Sequence, residues 1–234
     1  MSFSAFARRV RDPALPHQRR VSALRSCVQL YRPVGFEATL SFLEELAGPF
    51  RRDEAALLRA LEQLAASRRL RHEDLQRYAA ERRTAKQLGH RTPRRADRNP
   101  DLGPAIWYGA AQRAALHALG YWRRSRLPEL LAGNDPGARE IGDSVSACLA
   151  GGGPLTVEQH RLLDDAVQQV RQRVGGRLYE ENARAYFRGR DLLRVAALVR
   201  DAATPECARA APRARGENDG PQGIAAHTEG AKPA

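Results

Sequence analysis

Apolar residues recur at intervals of three and four along most of this chain, which is the spacing of amphipathic helices. The pattern predicts helices over 17–31, 35–47, 53–65, 72–88, 107–122, 136–149, 156–174 and 178–201. No run alternates apolar and polar residues as a half-buried strand would. The predicted fold class is therefore all-α.

Several helix starts carry recognisable capping signals. Asp53 precedes a leucine-rich run and is a good N-cap, because its carboxylate can accept hydrogen bonds from the free N–H groups of the first turn. Asp135 followed by Pro136 predicts a second start, with proline at the first helical position. Thr156 and Gln159 match a capping box, so the sequence predicts that a helix begins just after Thr156.

The periodic pattern is interrupted by a segment rich in proline and arginine. Residues 90–105 hold three Pro, one Gly and four Arg without an apolar repeat, which is typical of a linker or an exposed loop. The sequence therefore predicts an N-terminal helical bundle over 1–89, a basic linker over 90–105 and a C-terminal bundle over 106–202. Residues 203–234 offer little to bury, so we expect a disordered tail.

The chain is strongly basic, and the charge is unevenly distributed. The formal net charge is +12. Arginine outnumbers lysine by 37 to 2, a bias typical of a GC-rich coding sequence, so the choice of Arg over Lys carries no functional information. The clustering does carry information, because eleven basic side chains and only four acidic ones lie between Arg68 and Arg98. Such a surface attracts polyanions, and a guanidinium donates two parallel hydrogen bonds to phosphate.

This basic segment predicts a non-enzymatic, nucleic-acid-binding accessory or regulatory protein that grips the phosphate backbone. One face of the helix over 72–88 and a basic arm in the linker would share the contacts. The predicted binding residues are Arg71, Arg82, Arg83, Lys86, Arg91, Arg94, Arg95 and Arg98. Phosphate contacts give affinity without sequence specificity, so DNA and RNA both stay open.

Three other interpretations stay open. The acidic stretch 127–168, with a net charge of −5, could neutralise the basic arm internally. The two bundles could instead form a protein–protein interaction adaptor for an acidic partner. A helix-turn-helix over 36–70 is the third interpretation, but Asp53 and Glu54 would repel DNA at the start of its recognition helix.

Arg83 and His90 are separated by six residues in the basic, helical segment. This spacing resembles the Arg-x(4–6)-His pattern of HEPN ribonucleases, and the resemblance implies RNA cleavage centred on these two residues. That family usually has Asn, Asp or His directly after the arginine, whereas Thr84 stands here. Because the resemblance covers only two residues, a nuclease is kept as a distant alternative.

The C-terminal half contains further basic and aromatic residues. Its last predicted helix carries Arg177, Arg184 and Arg188, a weaker candidate surface for an anionic ligand. The predicted buried residues of this helix are Tyr179, Ala183, Tyr186, Phe187 and Leu193. Four other aromatic residues could stack on bases, but their helical spacing in an Ala-rich segment favours the core; they are Trp107, Tyr108, Tyr121 and Trp122.

Other functional classes lack their signature motifs. The chain has no phosphate-binding glycine loop, and His160 with Asp164 is a helical pair without further ligands, so we expect no cofactor and no metal. Cys27, Cys148 and Cys207 are odd in number and widely spaced, which favours a reducing cytoplasm. Neither a secretory signal nor a membrane span is recognisable, so we expect no membrane partner.

Overall fold

The computed structural model describes residues 1–90, 106–133, 135–175 and 178–204. Regular secondary structure in these ranges is entirely helical, which confirms the predicted all-α fold. The helices are α1 (Phe3–Arg11), α2 (His17–Leu30), α3 (Phe36–Ala47), α4 (Glu54–Gln87), α5 (Ala111–Ser125), α6 (Leu127–Leu131), α7 (Ala138–Ala150), α8 (Val157–Val174), α9 (Leu178–Glu181) and α10 (Ala183–Ala203). Most of the predicted linker and tail lies outside the described ranges.

Two of the predicted caps are confirmed. The Asp53 carboxylate accepts from the backbone N–H of Ala55 at 2.9 Å, directly before α4. At the start of α8 the Thr156 hydroxyl accepts from the backbone N–H of Gln159, and the Gln159 side chain accepts from the backbone N–H of Thr156. Both helices therefore begin where local sequence satisfies their free N–H groups.

The predicted start of α7 is wrong, because Asp135 has a different role. The helix begins at Ala138, and the Asp135 side chain is only 5% exposed. Its two oxygens lie 3.0 Å from Arg173 Nη1 and 3.0 Å from Arg188 Nε, the second contact being an ion pair without hydrogen-bond alignment. Two guanidiniums offset the desolvation of the carboxylate, so it turns inward and holds α8 and α10 together.

The helix at the N-terminus, α1, is an integral part of the fold. Phe3, Ala7 and Val10 are buried where α1 packs against α2 and α4. Arg20 of α2, only 3% exposed, donates to the Val10 carbonyl at 2.8 Å and to Glu54 at 2.7 Å. This single side chain therefore fixes α1 relative to the start of α4.

Both sides of the predicted linker contribute to one buried cluster. α3 packs against both α4 and α5, and Phe42 meets Trp107 edge to face with ring centroids 5.0 Å apart. Trp107 and Trp122 are buried, as their spacing predicts. The division into two bundles itself stays a prediction.

A polar network bridges α3 and α5 beside these rings. Glu45 accepts from Arg113 Nη2 at 2.7 Å and is paired with His117 Nδ1, while His117 Nε2 lies 2.9 Å from Ser41 Oγ. Burial alone would raise the pKa of Glu45, but the hydrogen bonds from Arg113 and His117 outweigh it and hold that pKa below its ordinary value. The carboxylate is therefore ionised over the neutral range and links the two helices.

The predicted helix over 178–201 is two helices with a break at Asn182. The Asn182 side chain accepts from the backbone N–H of Ala185 at 2.9 Å and so caps α10. The predicted burial is also wrong for this region: Tyr179, Ala183 and Phe187 are exposed, and Tyr186 and Leu193 are half-buried. None of the helices in the described ranges is long and apolar enough to cross a membrane.

A close approach between α8 and α10 explains why small residues replace the aromatic ones on the buried face. Ala185 and Gly189 point inward at the start of α10. A Cβ atom added to Gly189 would lie 2.5 Å from Val174 Cγ2, closer than real side chains approach. The first turns of α10 therefore bury small residues and leave the large rings on the opposite face.

Candidate nucleic-acid interface

α4 is 34 residues long and changes character after Ser67. All of its buried residues lie in the segment 54–67, which we call the buried half; they are Ala56, Leu57, Ala60, Leu61, Leu64 and Ser67. The remaining segment, 68–87, contains no buried residue and is called the exposed half. It carries seven basic side chains against three acidic ones and is about 30 Å long.

The structure places four of the predicted binding residues on this exposed half. Arg83 and Lys86 are exposed, whereas Arg71 and Arg82 are half-buried. Arg82 also donates to the His90 carbonyl at 3.2 Å, just beyond the end of α4. The other four predicted residues lie outside the described ranges: Arg91, Arg94, Arg95 and Arg98.

The predicted inward face of the exposed half is only partly confirmed. Leu75 and Tyr78 are half-buried, but Ala79 is exposed and Leu88 is 72% exposed. The helical period correctly predicts the helix, but none of its residues beyond Ser67 is fully buried. The exposed half is therefore a projection from the core and not a member of it.

Hydrogen bonds from two tyrosines fasten the base of this projection. Tyr31 Oη and Ser67 Oγ are 2.8 Å apart, and the same Ser67 oxygen accepts from the Tyr108 backbone N–H at 2.9 Å. The Tyr108 hydroxyl donates to Asp74 at 2.9 Å. Burial raises the pKa of both tyrosines, and the bond to Asp74 raises that of Tyr108 further. Both phenols are therefore neutral and act as positioning groups.

Beside the base of the exposed half, α1 and α4 enclose a shallow groove of about 280 Å³. Four arginines surround an apolar floor, two from each helix. The groove, called the α1/α4 groove below, is lined by Phe3, Ser4, Ala7, Arg8, Arg11, Ala65, Arg68 and Arg69. The fold thus brings together the basic residues of the chain start and those at the beginning of the predicted basic segment.

No carboxylate of the described residues pairs with the guanidiniums of the α1/α4 groove. Among the ion pairs found within the described ranges, none involves any of the four groove arginines. The Arg68 guanidinium instead lies over the Phe3 ring, 4.7 Å from its centroid. Burial raises the pKa of the Cys27 thiol to about 11, against the opposing positive charges of Arg11 and Arg68. Arg11 of α1 and Arg68 of α4 therefore both place positive charge near the Cys27 thiol.

Sequence reasoning missed this groove. Arg8, Arg11, Arg68 and Arg69 were not among the predicted binding residues, although the net charge of residues 1–34 is +6. The available signal was the apolar spacing of Phe3, Ala7 and Val10, which marks a short amphipathic helix with arginines on its other face. That signal does not say which other helix α1 meets.

The basic residues near the C-terminus are partly neutralised by the protein. Arg188 is paired with Asp135, and Arg200 is paired with Asp164. Arg184 and Arg190 are exposed and belong to none of the ion pairs found in the described part of the chain. Arg177 lies outside it.

Within the described ranges, no group of three or more His, Cys, Asp or Glu side chains is placed to hold a metal ion. In the helical pair of His160 and Asp164, the Asp164 carboxylate forms an ion pair with Arg200. Arg83 and His90 are both exposed, near the end of α4 and just after it, so the nuclease alternative stays an untested prediction.

Relatives of known function are not found. Comparison of the chain with protein-family models, curated proteins and solved structures yields no match in any of the three.

Proposed function

We propose that this protein binds nucleic acid through its phosphates and acts as a non-enzymatic accessory or regulatory factor. The observation that carries the proposal is the α1/α4 groove, where four arginines from two helices converge without a carboxylate partner in the described ranges. Guanidiniums in such a position repel one another, and a polyanion relieves that repulsion. The exposed half of α4 extends the same positive surface.

The chemistry of the groove suits a phosphodiester backbone. Each guanidinium can donate two parallel hydrogen bonds to phosphate oxygens, and each neutralised phosphate releases condensed counterions. On duplex DNA this release lowers the logarithm of the binding constant by about 0.9 per phosphate for each unit of log salt. Nothing in a set of phosphate contacts selects a base sequence, so we propose binding without sequence specificity.

A salt titration of matched variants tests this proposal. The groove variant replaces Arg8, Arg11, Arg68 and Arg69 with Gln. A control removes the same charge from exposed positions elsewhere and replaces Arg123, Arg124, Arg139 and Arg161 with Gln. Binding of a fluorescent 20-mer duplex is measured from 50 to 300 mM salt, with circular dichroism to verify folding.

The groove variant should reduce the slope of log affinity against log salt by about 3 to 4, and the control by less than about 1. Equal slopes for the groove variant and the unchanged protein would overturn the proposed interface. If the control loses as much as the groove variant, the attraction depends on net charge alone, and the groove has no special role.

The predicted basic arm is tested separately. Replacing Arg91, Arg94, Arg95 and Arg98 together with Ala should reduce the slope by several units if the arm also contacts phosphates. An unchanged slope would remove the arm from the interface and leave the groove and the exposed half of α4.

A second candidate function, an adaptor for an acidic protein, is favoured by the apolar floor of the groove. Phe3, Ala7 and Ala65 beside four guanidiniums would also suit a peptide that alternates carboxylates with apolar side chains. The two functions differ on purification. A nucleic-acid-binding protein co-purifies with material that absorbs at 260 nm and that nuclease and high salt remove, whereas an adaptor does not.

A further inference from the structure

Three aromatic side chains form an exposed cluster where α9 meets α10. Tyr179 is 56% exposed, Phe187 is 54% exposed, and Tyr186 is half-buried beside them. The ring centroid of Tyr179 lies 5.2 Å from that of Tyr186 and 6.0 Å from that of Phe187, and the centroids of Tyr186 and Phe187 are 5.5 Å apart. All three pairs of rings meet edge to face. We call this cluster the aromatic platform.

The platform is unusual for this protein. In the described part of the chain, the other aromatic side chains are buried or half-buried, so the aromatic exposure is concentrated at this one place. The apolar pattern predicts these rings in the core, yet Ala185 and Gly189 occupy the buried face instead. Departures from a local folding rule are expected most often at functional sites.

Positive charge accompanies the aromatic platform. The Arg190 guanidinium lies 5.9 Å from the centroid of the Tyr186 ring, and Arg184 is exposed one turn before Arg188. Glu180 and Glu181 are also exposed on α9 and balance part of this charge. The platform can therefore neutralise only one or two phosphates, and its main contribution must come from the rings.

We propose that the aromatic platform stacks the unpaired bases of single-stranded nucleic acid, with Arg184 and Arg190 contacting the adjoining phosphates. This inference rests on the proposed nucleic-acid-binding function. Every base has a π-face, so aromatic side chains bind single strands with little sequence preference, and arginine adds cation–π and phosphate contacts. In a duplex the base faces are stacked on one another, so the platform distinguishes single strands from duplexes.

The test uses the full chain and compares a (dT)20 strand with a 20-base-pair duplex. The platform variant is Tyr179→Ala with Phe187→Ala. The control is Val157→Ala with Leu162→Ala, which removes exposed apolar side chains from α8. We expect the platform variant to bind (dT)20 about 5- to 150-fold more weakly than the unchanged protein, with duplex affinity and the salt slope of single-strand binding unchanged.

A Phe187→Trp variant gives a direct signature of stacking. The two native tryptophans, Trp107 and Trp122, are buried, so a new exposed indole should supply most of the fluorescence that responds to a ligand. We expect (dT)20 to quench this emission strongly and the duplex to leave it largely unchanged.

The possible outcomes separate this inference from the proposed function. If the unchanged protein binds (dT)20 and the platform variant binds it equally well, the platform inference is overturned while phosphate binding stands. The platform inference is also overturned if the platform variant and the control variant both lose affinity for the strand and the duplex alike. If the unchanged protein binds neither strand nor duplex, the proposed function fails and the platform inference fails with it.

Discussion

The two halves of α4 belong to one continuous helix but have opposite surroundings. The buried half, 54–67, presents Leu57, Leu61 and Leu64 to the core, and all three are fully buried. The exposed half, 68–87, buries no residue and carries most of the basic side chains of the helix. Hydrophobic packing therefore stabilises one half, whereas the other half is available to a ligand.

This difference teaches that a helix need not be amphipathic over its whole length. Starting a helix is unfavourable, but each added residue of an existing helix gains a hydrogen bond at little cost. The buried half supplies the start, and the Tyr108–Asp74 hydrogen bond holds the first turns of the exposed half. The basic residues of the exposed half are therefore not constrained by core packing.

The largest expected effect on stability comes from removing a leucine side chain from the buried half of α4, compared with the same change in the exposed half. Leu61→Ala removes a fully buried side chain and should lower the free energy of unfolding by about 2 to 5 kcal/mol. Leu70→Ala, at a position 41% exposed in the exposed half, should change it by about 1 kcal/mol or less. Urea denaturation measures both. Similar losses from both variants would contradict the division of α4.

Arg20 shows that the packed part also depends on a charged side chain. Arg20→Met keeps the apolar stem but removes the hydrogen bonds to the Val10 carbonyl and to Glu54, and should destabilise the fold by about 1.5 to 3 kcal/mol. The exposed neighbour provides a matched control, because Arg19→Met should have almost no effect. Thermal unfolding of the two variants tests the difference, and equal melting temperatures would show that Arg20 does not anchor α1.

Glu45 gives a smaller, pH-dependent effect at the contact between α3 and α5. Its pKa in the folded state is lowered, so its contribution is present above the unfolded pKa and is lost as the pH falls through the folded pKa. We expect Glu45→Gln to reduce stability by less than about 1 kcal/mol at pH 7 and to reduce it by less at pH 3. The exposed Glu62→Gln is the control in urea titrations at both pH values. An equal loss at both pH values would assign it to packing instead of charge.

The smallest global effect is expected from glycine in the exposed half. Ala79→Gly weakens the helix locally but should change the global free energy of unfolding by less than about 0.5 kcal/mol, because residues 68–87 can fray without opening the core. Ala60→Gly, in the buried half, should lower global stability by 1 kcal/mol or more (about 1 from propensity alone). Hydrogen exchange should show faster exchange over 68–87 in Ala79→Gly. Unchanged exchange there would contradict independent fraying.

The local parts of the fold are predictable from sequence, whereas the contacts between distant segments are not. Apolar period and caps predict α4 and α8 well, because Asp53 and Thr156 act on their own first turns. Asp135 carries the same local signal but pairs with Arg173 and Arg188, which only the packing of α8 and α10 brings near. An aspartate that caps a helix and an aspartate that forms a buried ion pair therefore cannot be told apart from the sequence.

The candidate sites follow the same rule. Clustering of charge predicts Arg83 and Lys86 as exposed basic residues, and the structure confirms their exposure. The groove depends on Arg8 meeting Arg68 across α1 and α4, which charge counting cannot reveal. The exposed Phe187 depends on the short distance between α8 and α10, so its apolar character alone predicts the wrong face.

The continuity of α4 has a thermodynamic consequence for complex formation. A basic segment that is disordered before it meets its partner gains helix on binding, and its affinity is reduced by the entropy of ordering. Here the segment 68–87 is already helical before any ligand arrives. Far-ultraviolet ellipticity from this segment should stay constant through a titration, and association should have the weak heat-capacity signature of two preorganised surfaces.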